Sequence, residues 1–140
     1  MEFTLYADGG ARGNPGPAGA GAVVFDTAGK RVVEVSDYLG IATNNIAEYE
    51  AILRGLTKLL TAYPEGYFKT MPLLVRMDSE LVIKQLKGEY KVKHPNLVPR
   101  YLEVMNTVAR NFGSVRFEHV LRARNKDADA LANQAMDRKH

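Results

Sequence analysis

The sequence predicts an α/β domain with a mixed five-stranded sheet, an antiparallel meander plus parallel strands, flanked by helices. Three observations lead there. Three strand-like segments joined by turns open the chain. Two later strand-like segments are each preceded and followed by helical stretches, the alternation that parallel strands require. At 140 residues there is material for one core, so residues 1–140 read as one domain.

Taken in order, Glu2 to Asp8 alternates in hydrophobicity and forms the first strand, ending at Asp8. Gly9 to Gly19, rich in Gly and Pro, reads as a turn. Ala20 to Phe25 and Lys30 to Leu39 are two more strands about the turn Asp26 to Gly29. Thr43 and Asn44 offer N-cap oxygens, and from Ile46 the residues Tyr49, Ile52, Leu53, Leu56, Leu59 and Leu60 recur at helical spacing. Glu48 falls in the first turn of that helix. Thr61 to Met71, with Pro64 and Gly66, is a loop. Leu73 to Met77 is a short strand, apolar except for Arg76, that Asp78 closes, and Ser79 caps a helix through Leu86. Gly88 stops that helix, and Pro95 and Pro99 bracket the start of another reaching about Phe112. Ser114 to Leu121 is the last strand, and Asn125 caps a terminal helix to about Arg138.

This order places Asp8, Glu48, Asp78 and Asp129 where strands hand over to other elements. A single acid at a helix start only complements the helix dipole. Four at one sheet edge would form a pocket of like charge that needs cations, and hard oxygen ligands select Mg²⁺ or Mn²⁺. Two such ions roughly 4 Å apart can drive phosphoryl transfer. The residues alone leave two choices open. Glu50 fits a helix-start carboxylate nearly as well as Glu48, and Asp127 competes with Asp129, from which it diverges by about 200° on a helix. The Gly9 to Pro17 run can bring backbone N–H groups close to a ligand, but no Gly-Lys-Ser/Thr follows, so it is not a Walker loop.

Charge and composition narrow the class. The net charge is +3; with four of the 16 acidic residues committed to metal, 12 remain against 19 basic ones, a balance of +7. A basic exterior around an acidic pocket suits a polyanion. The absence of cysteine excludes disulfides, thiolate metal sites and cysteine nucleophiles. No run of about 18 apolar residues predicts a membrane span, and no leader pattern precedes the first strand, so a cytoplasmic location is expected.

Four stretches, YADGGARGNPGPAGAGAV, TNNIAEYEAIL, Met77-Asp78-Ser79 and NKDADALAN, stand in this order at suitable intervals. Together they resemble the type 1 ribonucleases H, from residue 3 to about residue 136. The resemblance implies a ribonuclease H-like fold. It also implies endonucleolytic hydrolysis of the RNA strand of an RNA–DNA hybrid, leaving 5′-phosphate and 3′-hydroxyl ends. It carries Asp8, Glu48, Asp78 and Asp129 over as catalytic ligands of two Mg²⁺ or Mn²⁺ ions, and so chooses Asp129. It places the backbone groups of Gly10, Ala11, Arg12 and Gly13, and Glu48, Asn45 and Ser79, near 2′-hydroxyls and base edges, the hydroxyls being what distinguishes RNA from DNA. Asn14, Thr43 and Asn44 are implied to hold phosphates.

Two features depart from the family. Many members carry a histidine in a loop before the last acidic ligand; the stretch His119 to Asn125 is too short for that loop. His119 lies on the predicted strand, and His94 and His140 sit in other contexts. The short form resembles a subgroup with an arginine here; Arg122 matches best and Arg124 competes. A guanidinium cannot shuttle protons near neutrality, but it can bind the scissile phosphate or assist product release. The second departure is a missing basic handle. Between Lys84 and Arg100 stands a short insert bearing Lys87, Lys91 and Lys93, read as a reduced groove for the DNA backbone. A monomer with no obligate protein partner is expected. The alternative is a catalytically silent nucleic-acid-binding module of the same fold, against which stands the retention of all four carboxylates.

Overall fold

The first strand alternates buried and half-buried residues and runs further than its pattern foretold. A computed structural model, which describes residues 1–139, gives β1 as Phe3–Ala11 and β2 as Gly16–Phe25. The expected turn over Gly9 to Gly19 is therefore corrected: its flanks pair across the two strands, as in Gly9↔Ala20 and Ala11↔Ala18. Only residues 12–15 remain as loop. Small residues made the segment look like coil, and cross-strand hydrogen bonding overrides that propensity.

β3 (Arg31–Ala42) likewise runs past the expected end at Leu39, pairing Ile41 and Ala42 with Pro17 and Gly16. α1 (Asn44–Ala62) starts two residues earlier than its apolar period, so Glu48 lies beyond the first turn rather than in it. Thr43 is the cap, its Oγ1 accepting from Ile46 N at 3.2 Å. β4 (Leu73–Met77), α2 (Glu80–Leu86), α3 (Val98–Asn111), β5 (Val115–His119) and α4 (Lys126–Arg138) follow. Ser79 caps α2 as expected, accepting from Val82 N at 3.3 Å. The loop over residues 61–71 holds a 3-10 turn, Tyr67–Lys69, whose buried Phe68 packs edge-on to Phe3 at 5.1 Å.

The sheet order is β3-β2-β1-β4-β5, with the first three strands antiparallel and β1, β4 and β5 parallel. α1 packs on one face and α4 on the other, over β1 to β3. The core lies between sheet and α1 and includes Leu5, Ile52, Leu56 and Val75, all fully buried or nearly so. Among the described residues no helix is long and apolar enough to cross a membrane. His140 lies outside the described residues.

Two glycines set how closely the helices approach. A Cβ on Gly9 would lie 2.2 Å from the Ala47 carbonyl, so only glycine lets the backbone of α1 rest on β1 there. On the opposite face a Cβ on Gly21 would lie 2.3 Å from Ala128 O of α4. Gly21 pairs with Asp8. α1 therefore closes on β1 and α4 on its partner β2, from opposite faces of the sheet at the level of Asp8.

Candidate active site

Asp8 stands inside β1, not at its end as the sequence reading had it. It nevertheless faces an opening, because β4 stops at Met77 and its pairing with β1 ends at Tyr6↔Arg76. Beyond that point one edge of β1 is bare, and Asp78 follows β4 directly into the gap. Glu48 arrives from α1 and Asp129 from α4. The four carboxylates line one open cavity of about 430 Å³, with Gly9 to Arg12, Asn44, Arg122, Asn133 and Met136.

Within this cavity Asp8, Glu48 and Asp78 resist ionisation. Burial, then the charges of Asp78, Asp129 and Glu48 and a hydrogen bond shared with Asp129, push the Asp8 carboxyl up to about 8. Burial pushes Glu48 up to about 7; Asp78 adds to this, while a hydrogen bond from Ser79 opposes it. Asp78 is raised by burial and Asp129 but held back by the Arg122 guanidinium and the Asn125 amide. The Glu48 Oε2 atom is buried without a hydrogen-bond partner. Of the two arginines lining the cavity, Arg12 is paired to Asp137 and Arg122 alone stands beside the four acids, so the site is short of positive charge.

The structure separates the rival acids. Glu50 is held by two arginines, Arg54 Nε at 3.0 Å and Arg100 Nε at 3.2 Å, and points away from the cavity. Asp127 pairs with Arg31 at 3.3 Å outside it. Arg122 and Arg124 also part. Arg122 borders the acids, its Nη2 3.7 Å from Asp129 Oδ1, whereas Arg124 lines a neighbouring cavity. Arg122 is 81% exposed. A flexible cation at the mouth can therefore meet an incoming anion.

The remaining expected residues divide. Gly10, Ala11 and Arg12 line the acidic cavity, with Arg12 also paired to Asp137 at 2.5 Å. Gly13 and Asn14 lie in the exposed loop that follows. Asn44 ties the first strand to the first helix: its Oδ1 accepts from Ala11 N at 2.8 Å, and its N–H donates to Asn14 Oδ1 at 3.1 Å. Those two oxygens are spent within the protein. Thr43, Asn45 and Asn14 border a smaller cleft of about 180 Å³ with His94 and Asn96. Lys87, Lys91 and Lys93 are exposed beyond α2 and line none of these cavities. His119 is exposed at the end of β5.

Sequence reasoning missed three residues here. Asn125 was expected to cap α4, yet it makes no side-chain cap; its Nδ2 donates to Ala7 O at 2.9 Å, next to Asp8. Burial of the pre-helix residue turned a cap into a tie between elements. Asn133 and Met136 line the cavity from α4. The i, i+4 step from Asp129 to Asn133 was the available signal.

A sheet of this order, with acids gathered where β4 leaves β1, defines a ribonuclease H fold. A family model described as reverse transcriptase-like matches residues 6–135. A bifunctional protein of Mycobacterium tuberculosis is 44% identical over 138 residues, 98% of this chain and 36% of that protein. Ribonuclease HI of Halobacterium salinarum is 41% identical over 132 residues, 94% of this chain and 63% of that protein. The chain thus spans between about a third and two thirds of these relatives. LC11-RNase H1, solved in complex with an RNA/DNA hybrid, superposes with a TM-score of 0.90 at 42% identity, covering 98% of each chain. The chain belongs to the type 1 ribonuclease H family.

Proposed function

We propose that this chain hydrolyses the RNA strand of RNA–DNA hybrids, leaving 5′-phosphate and 3′-hydroxyl ends. One observation carries the reading. Four carboxylates from four elements share one half-buried cavity that they cannot all ionise in at neutral pH without added positive charge. The hybrid bound by LC11-RNase H1 supports the choice of substrate.

The donor set fits Mg²⁺ or Mn²⁺. It is all hard oxygen, and Glu48 Oε2 is buried with no donor to satisfy it. As the side chains stand, no group of three or more acids or histidines among the described residues is arranged to hold an ion. Asp8 and Asp129 instead share a hydrogen bond, and Glu48 takes one from Ser79. Asp8, Glu48, Asp78 and Asp129 would hold two ions by giving up those contacts. Bound there, the ions would supply an activated water and stabilise the departing 3′ oxygen.

The chain's own groups do the rest. Backbone groups of residues 10–13 and the side chains of Asn45 and Ser79 meet 2′-hydroxyls and base edges, selecting RNA. Asn14, Thr43 and Asn44 seat phosphates through N–H and O–H donors. Arg122 meets the scissile phosphate from the cavity mouth. Lys87, Lys91 and Lys93 attract the DNA backbone through long-range charge. All four acids come from one chain, so a monomer suffices.

The test is a cleavage assay on labelled RNA–DNA hybrid, duplex RNA and duplex DNA, each with Mg²⁺, Mn²⁺ or EDTA. Cleavage of the hybrid's RNA strand with either cation, and none with EDTA, is expected. Binding without cleavage under every condition would instead mark a silent binding module.

A further inference from the structure

Among the described residues, two buried side-chain oxygens have no hydrogen-bond partner: Glu48 Oε2, inside the acidic cavity, and Asn125 Oδ1. Asn125 is 1% exposed, so solvent does not answer that oxygen. A buried amide oxygen left unpaired disfavours the folded state. Leucine, of nearly the same shape, would fill the position with no oxygen to leave unpaired. The reason for an asparagine must lie in its other groups.

Those groups reach three of the four acids. Pairing of β1 with β4 ends at Tyr6↔Arg76, so no strand ladder fixes Asp8 relative to Asp78. The Asn125 amide spans that gap. Its Nδ2 donates to Ala7 O at 2.9 Å, the carbonyl joined to Asp8, and the same amide donates to the Asp78 carboxylate. An amide nitrogen carries two hydrogens, one for each acceptor. On the backbone, Asn125 O accepts from Asp129 N at 3.1 Å and so sets the first turn of α4. The Asn125 N–H donates to Arg122 O at 3.0 Å, which ties the segment carrying the arginine of the cavity mouth to the same residue.

We propose that Asn125 is a positioning residue of the active site, one buried side chain that clamps Asp8, Asp78 and Asp129 where they can share divalent cations. This role presupposes the two ions read above and involves no contact with substrate. A hydrogen bond to a metal-binding carboxylate orients it before the ion arrives, and loss of such a partner weakens metal binding by about 10–100-fold.

Calorimetric titration of the metal-free full chain with MnCl₂ tests this without any cleavage. Asn125→Leu, which keeps the shape and removes both donors, should weaken Mn²⁺ binding by about 10–100-fold. Val104→Ala is the control for a merely structural effect. Val104 is fully buried in α3, so its truncation lowers Tm, yet Mn²⁺ affinity should stay at the wild-type value. On labelled hybrid, Asn125→Leu should lose kcat at limiting Mn²⁺ and recover most of it at saturating Mn²⁺, with KM for the hybrid nearly constant. Should Asn125→Leu not fold, Asn125→Ser, which keeps one donor, carries the same test with a smaller loss. Wild-type Mn²⁺ affinity in the folded Asn125 variant overturns the proposal, and so does an equal loss in Val104→Ala. A wild type that takes up no Mn²⁺ overturns the two-ion reading itself, so the two failures are distinct.

Discussion

Replacing Asp8 by Asn should make the metal-free protein more stable, by much more at pH 8 than at pH 5. In the folded chain the Asp8 carboxyl titrates at about 8, against an ordinary 3.8. Between these values the folded state holds a proton that the unfolded chain has released. The stabilisation is therefore complete below pH 3.8 and is lost as pH rises towards 8. From pH 5 to pH 8 nearly three pH units of one bound proton are given up, at ~1.4 kcal/mol each, an upper value of ~4 kcal/mol. The cavity is open, so water and counter-ions relieve part of the repulsion, and ~1–2 kcal/mol is expected to be observed. For a domain of this size that corresponds to a Tm difference of roughly 3–8 °C. Thermal melts in EDTA from pH 5 to pH 8 measure it. The wild type should lose stability along this range, and Asp8→Asn should lose distinctly less. Mg²⁺ at pH 8 should raise the wild-type Tm and move the variant little. Parallel curves, or a variant less stable than wild type at pH 8, would refute the picture of a repulsive desolvated cluster.

Three further outcomes are expected. Asp129→Asn should lose most hybrid cleavage and Asp127→Asn little, because Asp127 makes only an exposed pair with Arg31; equal losses would contradict the division. Alanine at Lys87, Lys91 and Lys93 together should raise KM and flatten the salt dependence of hybrid binding with kcat nearly constant; an unchanged KM would make that segment a solvated surface. Arg122→Ala should slow turnover by about one to two orders of magnitude, with Arg122→Lys restoring part; measured beside it, Arg124→Ala should not slow the enzyme, and the reverse result would exchange their roles.

The sequence by itself carried the fold class and the order of elements. Periodicity is local: Tyr49 to Leu60 repeats at helical spacing and Leu73 to Met77 is continuously apolar whatever surrounds them. It also carried the residue types of the cleft, since four separated motifs fixed four candidate acids. What it left open was pairing. Gly9 to Gly19 looked like coil because small residues have no strong preference, and only the partner strand shows that most of them are sheet. Glu50 and Asp127 were as acidic as their rivals. Only the positions of Arg54, Arg100 and Arg31, remote in sequence, show them already neutralised. Asn125 read as a cap because capping is a local rule, and the nearness of Ala7 O, 118 residues away, redirected its amide. The raised proton affinities of Asp8 and Glu48 depend likewise on who stands beside whom. They depend on Gly9 and Gly21 letting two helices settle on neighbouring strands at the level of Asp8, and no periodicity or composition records that closeness.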